Sequence, residues 1–103
     1  MKIFIAGPYT RGDVAQNVRA AIDAAEKIIE AGYVPFVPHL SHFQHLIHPR
    51  PYEDWLRLDR EWLKVCDAIV RLPGESPGAV GEIAFARELE IPVFTLDQVM
   101  HEI

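Results

Sequence analysis

Short apolar runs, each stopped by Gly or Pro and each followed by a stretch with helical spacing, succeed one another along the chain, and that alternation constrains the fold more than any other feature. Ile3 to Ala6 is such a run, closed by Gly7-Pro8, and predicts a buried strand. Asp13 and Gln16 make a capping-box-like start, after which Val14, Val18, Ile22, Ala25 and Ile29 recur at helical spacing until Gly32. Tyr33 to Val37 predicts a second strand, and Pro35 inside it points to a sheet edge, since proline cannot donate to a ladder. Pro38 opens a loop running to about Pro51. Tyr52 to Cys66 is the clearest helix, and Asp67 to Leu72 a third strand ended by Pro73-Gly74. Ser76 as N-cap and Pro77 in the first helical position open the next helix. Ile91 to Thr95 is a fourth strand and Leu96 to His101 a closing helical turn. Such alternation calls for an α/β fold with a parallel sheet and crossover helices. Ligands of such sheets bind beyond the carboxyl ends of the strands, here at Gly7 to Arg11, the loop from Pro38, and Pro73 to Gly78.

Composition narrows the function. A chain of 103 residues, half of them hydrophobic, is expected to form one domain over 1–103 without staples. Asp+Glu number 15 against Lys+Arg 10, a balance that argues against gripping a nucleic acid polymer, which needs a clustered basic face. No apolar run is long enough for a membrane span, and the N-terminal run is too short for a signal peptide. The lone Cys66 excludes an internal disulfide and fits a reducing cytoplasm, with core packing as its expected role.

Two carboxylates break the helical pattern. At about 100° per residue, Tyr52, Trp55, Leu56, Leu58, Trp62, Leu63, Val65 and Cys66 fill one half of their helix, and Asp59 falls inside that apolar arc. In the helix after Ser76, Glu82 falls among Ala79, Ile83, Phe85, Ala86 and Leu89. A carboxylate facing a core is costly unless paired or hydrogen-bonded. Either residue alone fits a buried acid satisfied by backbone or arginine. Two of them flanking one strand also fit the paired carboxylates of glycosyl transfer. The helix start at Ser76-Pro77-Gly78 by itself reads first as an ordinary capped terminus, and it is also compatible with an anion, phosphate or carboxylate alike, which Gly78 would let approach the backbone. No P-loop and no G-x-G-x-x-G occurs. His39, His42, His45 and His48 recur every three residues, which admits a zinc or nickel site, a wet helical face, or pocket lining, the last favouring His42 as a substrate contact.

Taken together, Lys2 to Tyr9, Asp59 to Leu63 with Cys66-Asp67-Ala68, and Ser76 to Glu82 resemble the nucleoside 2-deoxyribosyltransferase superfamily, over essentially the whole chain. Within it the chain is closest to a branch of small single-domain proteins. The resemblance implies a flavodoxin-like three-layer sandwich and cleavage or transfer at the N-glycosidic bond of a nucleoside or nucleotide. Glu82 matches the family's nucleophile, Asp59 the acid that handles the leaving base, and Gly7, Pro8, Tyr9 and Arg11 the loop lining the sugar and base. Ser76, six residues before Glu82, stands where base-exchanging transferases carry aspartate and 5′-monophosphate N-glycosidases carry serine, so with Gly78 it is expected to hold a phosphate. Val80-Gly81 departs from the better-known hydrolases, and the C-terminal tail that completes neighbouring sites in some transferases is expected to be missing. No metal or redox cofactor is required by this chemistry, and a homodimer is expected. The alternatives are a nucleotide-binding module without turnover and a His-rich metal-binding protein.

Overall fold

The structure, a computed structural model, describes residues 1–102. Four parallel strands, β1 (Lys2–Ala6), β2 (Val34–Phe36), β3 (Ala68–Arg71) and β4 (Val93–Phe94), lie in the order β2-β1-β3-β4. The central β1 pairs Ile3 with Pro35 on one side and with Ala68 on the other. Ile3, Phe4, Ile5 and Ala6 are wholly buried, which is why β1 is an unbroken apolar run: a parallel strand has both faces covered. Pro35 sits in the edge strand, as its missing donor requires.

Helices cover both faces. α1 (Val14–Glu30) and α5 (Leu96–His101) pack against Ile3, Ile5, Ala68 and Val70. On the other face, α3 (Tyr52–Leu63) and α4 (Pro77–Glu88) pack against Phe4, Ala6 and Ile69 through Leu63, Ala79, Ile83 and Ala86. Each large apolar side chain fully buried this way contributes about 1.5–3 kcal/mol. The N-termini of α1 and α4 are capped by side chains as the sequence indicated: Asp13 accepts from the Gln16 N–H and Ser76 from the Ala79 N–H, both at 3.1 Å. Among the described residues it is Thr95 and Gln98 that complete the reciprocal capping box.

The structure departs from the sequence expectations at three places. The stretch expected as a loop from Pro38 holds a 3-10 turn (Pro38–Leu40) and a short helix, α2 (Ser41–Ile47). No residue of α2 is buried, and Phe43, Leu46 and Ile47 are exposed, so it has no core-facing stripe to betray it. The helix begun at Tyr52 ends at Leu63 rather than Cys66. The N–H groups of Val65 and Cys66 bond three residues back, to Trp62 and Leu63, tightening the chain into β3. Trp62 and Val65 are therefore exposed, Trp62 stacking on Phe36 at 5.2 Å between ring centroids, while Cys66 stays in the core. On α1 the buried stripe is Val18, Ala21, Ala24, Ala25 and Ile28, leaving Ile22 and Ile29 outward.

From β1 the chain reaches β2 on one side and β3 on the other. The carboxyl ends of β1 and β3 therefore flank the switch point where sheets of this kind leave a crevice.

Candidate active site

A cavity of about 610 Å³ opens at that switch point, within the roughly 300–1,000 Å³ typical of small-molecule sites. Asp59 from α3 and Glu82 from α4 both line it. Burial pushes the Asp59 carboxyl up to about 7. Glu82 is pushed up to about 8, chiefly by burial, then by the charge of Asp59, against a smaller opposing pull from Arg71 and Arg60. Both shifts favour the protonated acids, and the charge of Asp59 acting on Glu82 couples their titrations. The two residues that broke the helical pattern thus face one cavity instead of the core.

The two helices meet as facing ladders. Tyr52 and Asp59, seven residues apart, share a face of α3, and Gly78 and Glu82, four apart, share a face of α4. The Tyr52 hydroxyl stands 2.8 Å from where a β-carbon on Gly78 would be. Burial raises its pKa further above the neutral range, and the charges of Glu82 and Asp59 add to that. Glycine at 78 therefore makes room for a tyrosine hydroxyl.

The first loop is held from behind. A β-carbon on Gly7 would meet Leu72 Cβ at 2.9 Å, so glycine there lets β1 and β3 close up. Asn17 Nδ2 donates to the carbonyls of Tyr9 and Arg11, at 2.9 and 2.7 Å. Gly7, Tyr9 and Arg11 line the cavity, and Arg11 pairs with Glu75 across its rim at 3.3 Å. Pro8 is not part of the wall. Its ring packs where a β-carbon of Gly74 would otherwise stand, 2.7 Å from Pro8 Cγ, and its carbonyl accepts from His39.

At the start of α4, Ser76 is buried and its hydroxyl is engaged, accepting from the Ala79 N–H and donating to the Gly7 carbonyl at 3.4 Å. Pro77 has no N–H and Val80 bonds to the Ser76 carbonyl, so Gly78 carries the first-turn N–H left without a helical partner.

The histidine row is explained wall by wall. His39 is buried, and its Nε2 donates to the carbonyls of Gly7 and Pro8, at 3.2 and 3.1 Å. Burial lowers its pKa, the two carbonyls opposing, and its Nδ1 has no partner among the described residues. The Tyr9 phenol, its pKa raised by burial, shares a hydrogen bond with His42 Nδ1 at 2.6 Å. His45 Nδ1 accepts from the Trp55 indole and from the Arg50 N–H, at 2.9 and 3.2 Å. His48 is exposed beyond α2. Three imidazoles are thus tied to separate partners, and no three His, Cys, Asp or Glu side chains among the described residues form a metal-binding group.

Sequence reasoning missed Tyr52, Trp55 and Asn17, and it named His39 only as one of the histidine row. Tyr52 had a usable signal, since it lies two helical turns before Asp59 on the same face. The others depend on pairings across the fold.

Comparison with solved structures finds a 2-deoxyribosyltransferase from the psychrotolerant bacterium Bacillus psychrosaccharolyticus, described as a biocatalyst for nucleoside synthesis. It shares 18% identity with a TM-score of 0.66, over 90% of this chain and 69% of that one. The likeness establishes the fold, a flavodoxin-like α/β sandwich. No curated protein matches the chain. A family profile does match residues 1–96, and the chain belongs to that family, described as a domain of unknown function, DUF7768.

Proposed function

We propose that this protein cleaves or transfers at the N-glycosidic bond of a nucleoside or nucleoside 5′-monophosphate, with Glu82 as nucleophile and Asp59 as proton carrier. The observation that carries this is the placement of both acids, each raised by burial toward neutrality, on facing helices around one cavity. A likeness in fold to a 2-deoxyribosyltransferase supports it. In the first step a Glu82 oxygen attacks C1′ as the C1′–N bond breaks. The bonding pair leaves with the base, which takes its proton from Asp59. Water, or a second base, then attacks C1′ and frees the Glu82 carboxylate, and Asp59 recovers a proton from that acceptor. Two displacements retain configuration. Gly7, Tyr9, Arg11 and His42 would bound the ligand, and Ser76 would act through the helix start that it caps. The homodimer belongs to the same reading, supported by the exposed Phe43, Leu46 and Ile47 beside the cavity.

The test is incubation with the common deoxynucleoside 5′-monophosphates and their nucleosides, with chromatography for free base and mass spectrometry for a glycosyl adduct on Glu82. Base release abolished by Glu82→Ala supports the reading. No base released from any of them, with a nucleotide still raising the melting temperature, makes the protein a binding module instead.

A further inference from the structure

Gly78 is a costly residue where it stands. It lies in the first turn of α4 and its φ is not in the left-handed region, so its backbone has no need of glycine, and alanine would favour the helix. Within 4 Å, an added β-carbon would meet only the Tyr52 hydroxyl, at 2.8 Å, and Ser76 Oγ, at 4.0 Å. Tyr52 is equally unexplained by packing. It belongs to neither core cluster and is 53% exposed, yet its hydroxyl end is drawn into the cavity wall beside Gly78. The two residues account for each other. Together they bring a phenol O–H beside the first turn of α4, where the Gly78 N–H has no helical partner, about one helical turn (~6 Å) along α4 from Glu82.

We propose that Tyr52 is a ligand-contacting, specificity-determining residue of this cavity, its hydroxyl and the Gly78 N–H gripping the substituent on C5′ of a sugar whose C1′ lies at Glu82. This rests on the function proposed above. Ser76 Oγ is already engaged on both sides, so these two groups are the donors left at that end of α4. Burial, and after it the charges of Glu82 and Asp59, keep the phenol protonated, hence a donor to a phosphate oxygen. A hydrogen bond to a charged acceptor is stronger than one to a hydroxyl, so Tyr52 favours a 5′-monophosphate over the free nucleoside.

Calorimetric binding and base release, with the common deoxynucleoside 5′-monophosphates and their nucleosides, test this on wild type, Tyr52→Phe, Gly78→Ala and the double variant. Tyr52→Phe is expected to weaken monophosphate binding about 10- to 100-fold and nucleoside binding far less, collapsing the preference while the melting temperature holds. Gly78→Ala displaces the hydroxyl and copies that loss. In the Tyr52→Phe background the same alanine costs no further affinity and raises the melting temperature, because the clash is gone. Wild type that cleaves monophosphates while Tyr52→Phe keeps the full preference overturns the role of Tyr52 and leaves the proposed function standing. Monophosphate binding that depends on Tyr52, with no base released, supports the contact and removes the turnover. A wild type that binds neither probe overturns both.

Discussion

Trp55 donates its indole N–H to Nδ1 of His45 at 2.9 Å, and because an indole nitrogen can only donate, that imidazole nitrogen must be free of a proton. The same atom accepts the Arg50 N–H, so one lone pair joins α2, the segment after it and α3. Since α2 buries no side chain, these bonds and the Tyr9–His42 bond are its visible anchors. Trp55→Phe or His45→Leu is expected to speed amide hydrogen exchange across residues 41–47, while global stability falls by no more than about 1–1.5 kcal/mol. Equal acceleration in α1 and α2 would show that the bond supports the whole fold.

The raised carboxyls of Asp59 and Glu82 predict the pH dependence of turnover. With values of about 7 and about 8, the proposed mechanism draws on the minor tautomer of the singly protonated pair, Glu82 ionised and the proton on Asp59. The profile of kcat/KM against pH should be a narrow bell with its maximum between those values. Asp59→Asn removes the alkaline limb and also the charge that helps raise Glu82. Residual activity, reduced by a factor of about 10² to 10⁴, should then rise through one midpoint below 8 and stay level. An alkaline limb that survives in Asp59→Asn would show that Asp59 is not its source.

Stability should fall as pH rises. Both carboxyls are raised on folding, so folding favours their protonated forms. That contribution is complete below the unfolded-state values near 4 and is lost as pH climbs through about 7 and 8. Urea unfolding at pH 5.5 and pH 9 should differ by on the order of 2–4 kcal/mol, the acidic sample being the more stable. Glu82→Gln removes one titrating group and should flatten the slope. An unchanged slope would place the pH dependence elsewhere.

Glycines at two positions should behave oppositely. A methyl on Gly7 meets Leu72 Cβ at 2.9 Å between two paired strands, so Gly7→Ala should cost about 1–3 kcal/mol. A β-carbon on Gly81 meets nothing within 4 Å in the middle of α4, so Gly81→Ala should gain about 0.5–1 kcal/mol. Chemical denaturation of the two variants checks both signs.

The parts of the fold legible in the sequence were those written in local patterns. Ile3 to Ala6 had to be a buried parallel strand because nothing polar interrupts it, and Pro35 had to lie at an edge. Asp13 and Ser76 announced helix starts because a cap is a contact between residues three apart. Asp59 and Glu82 stood out because a carboxylate inside an apolar arc has no local excuse. α2 was illegible for the opposite reason: with no residue buried, it shows no periodic stripe.

What the sequence determined by itself is the layered α/β frame and the identity of two misplaced acids, since hydrophobic period and capping act over a few residues. Only the tertiary structure decided what surrounds those acids. That Gly78 makes room for Tyr52, that Pro8 stands behind the wall, and that three histidines serve separate partners are all set by the fold. Such contacts exist once the sheet has brought the carboxyl ends of β1 and β3 side by side, and no spacing along the chain encodes them.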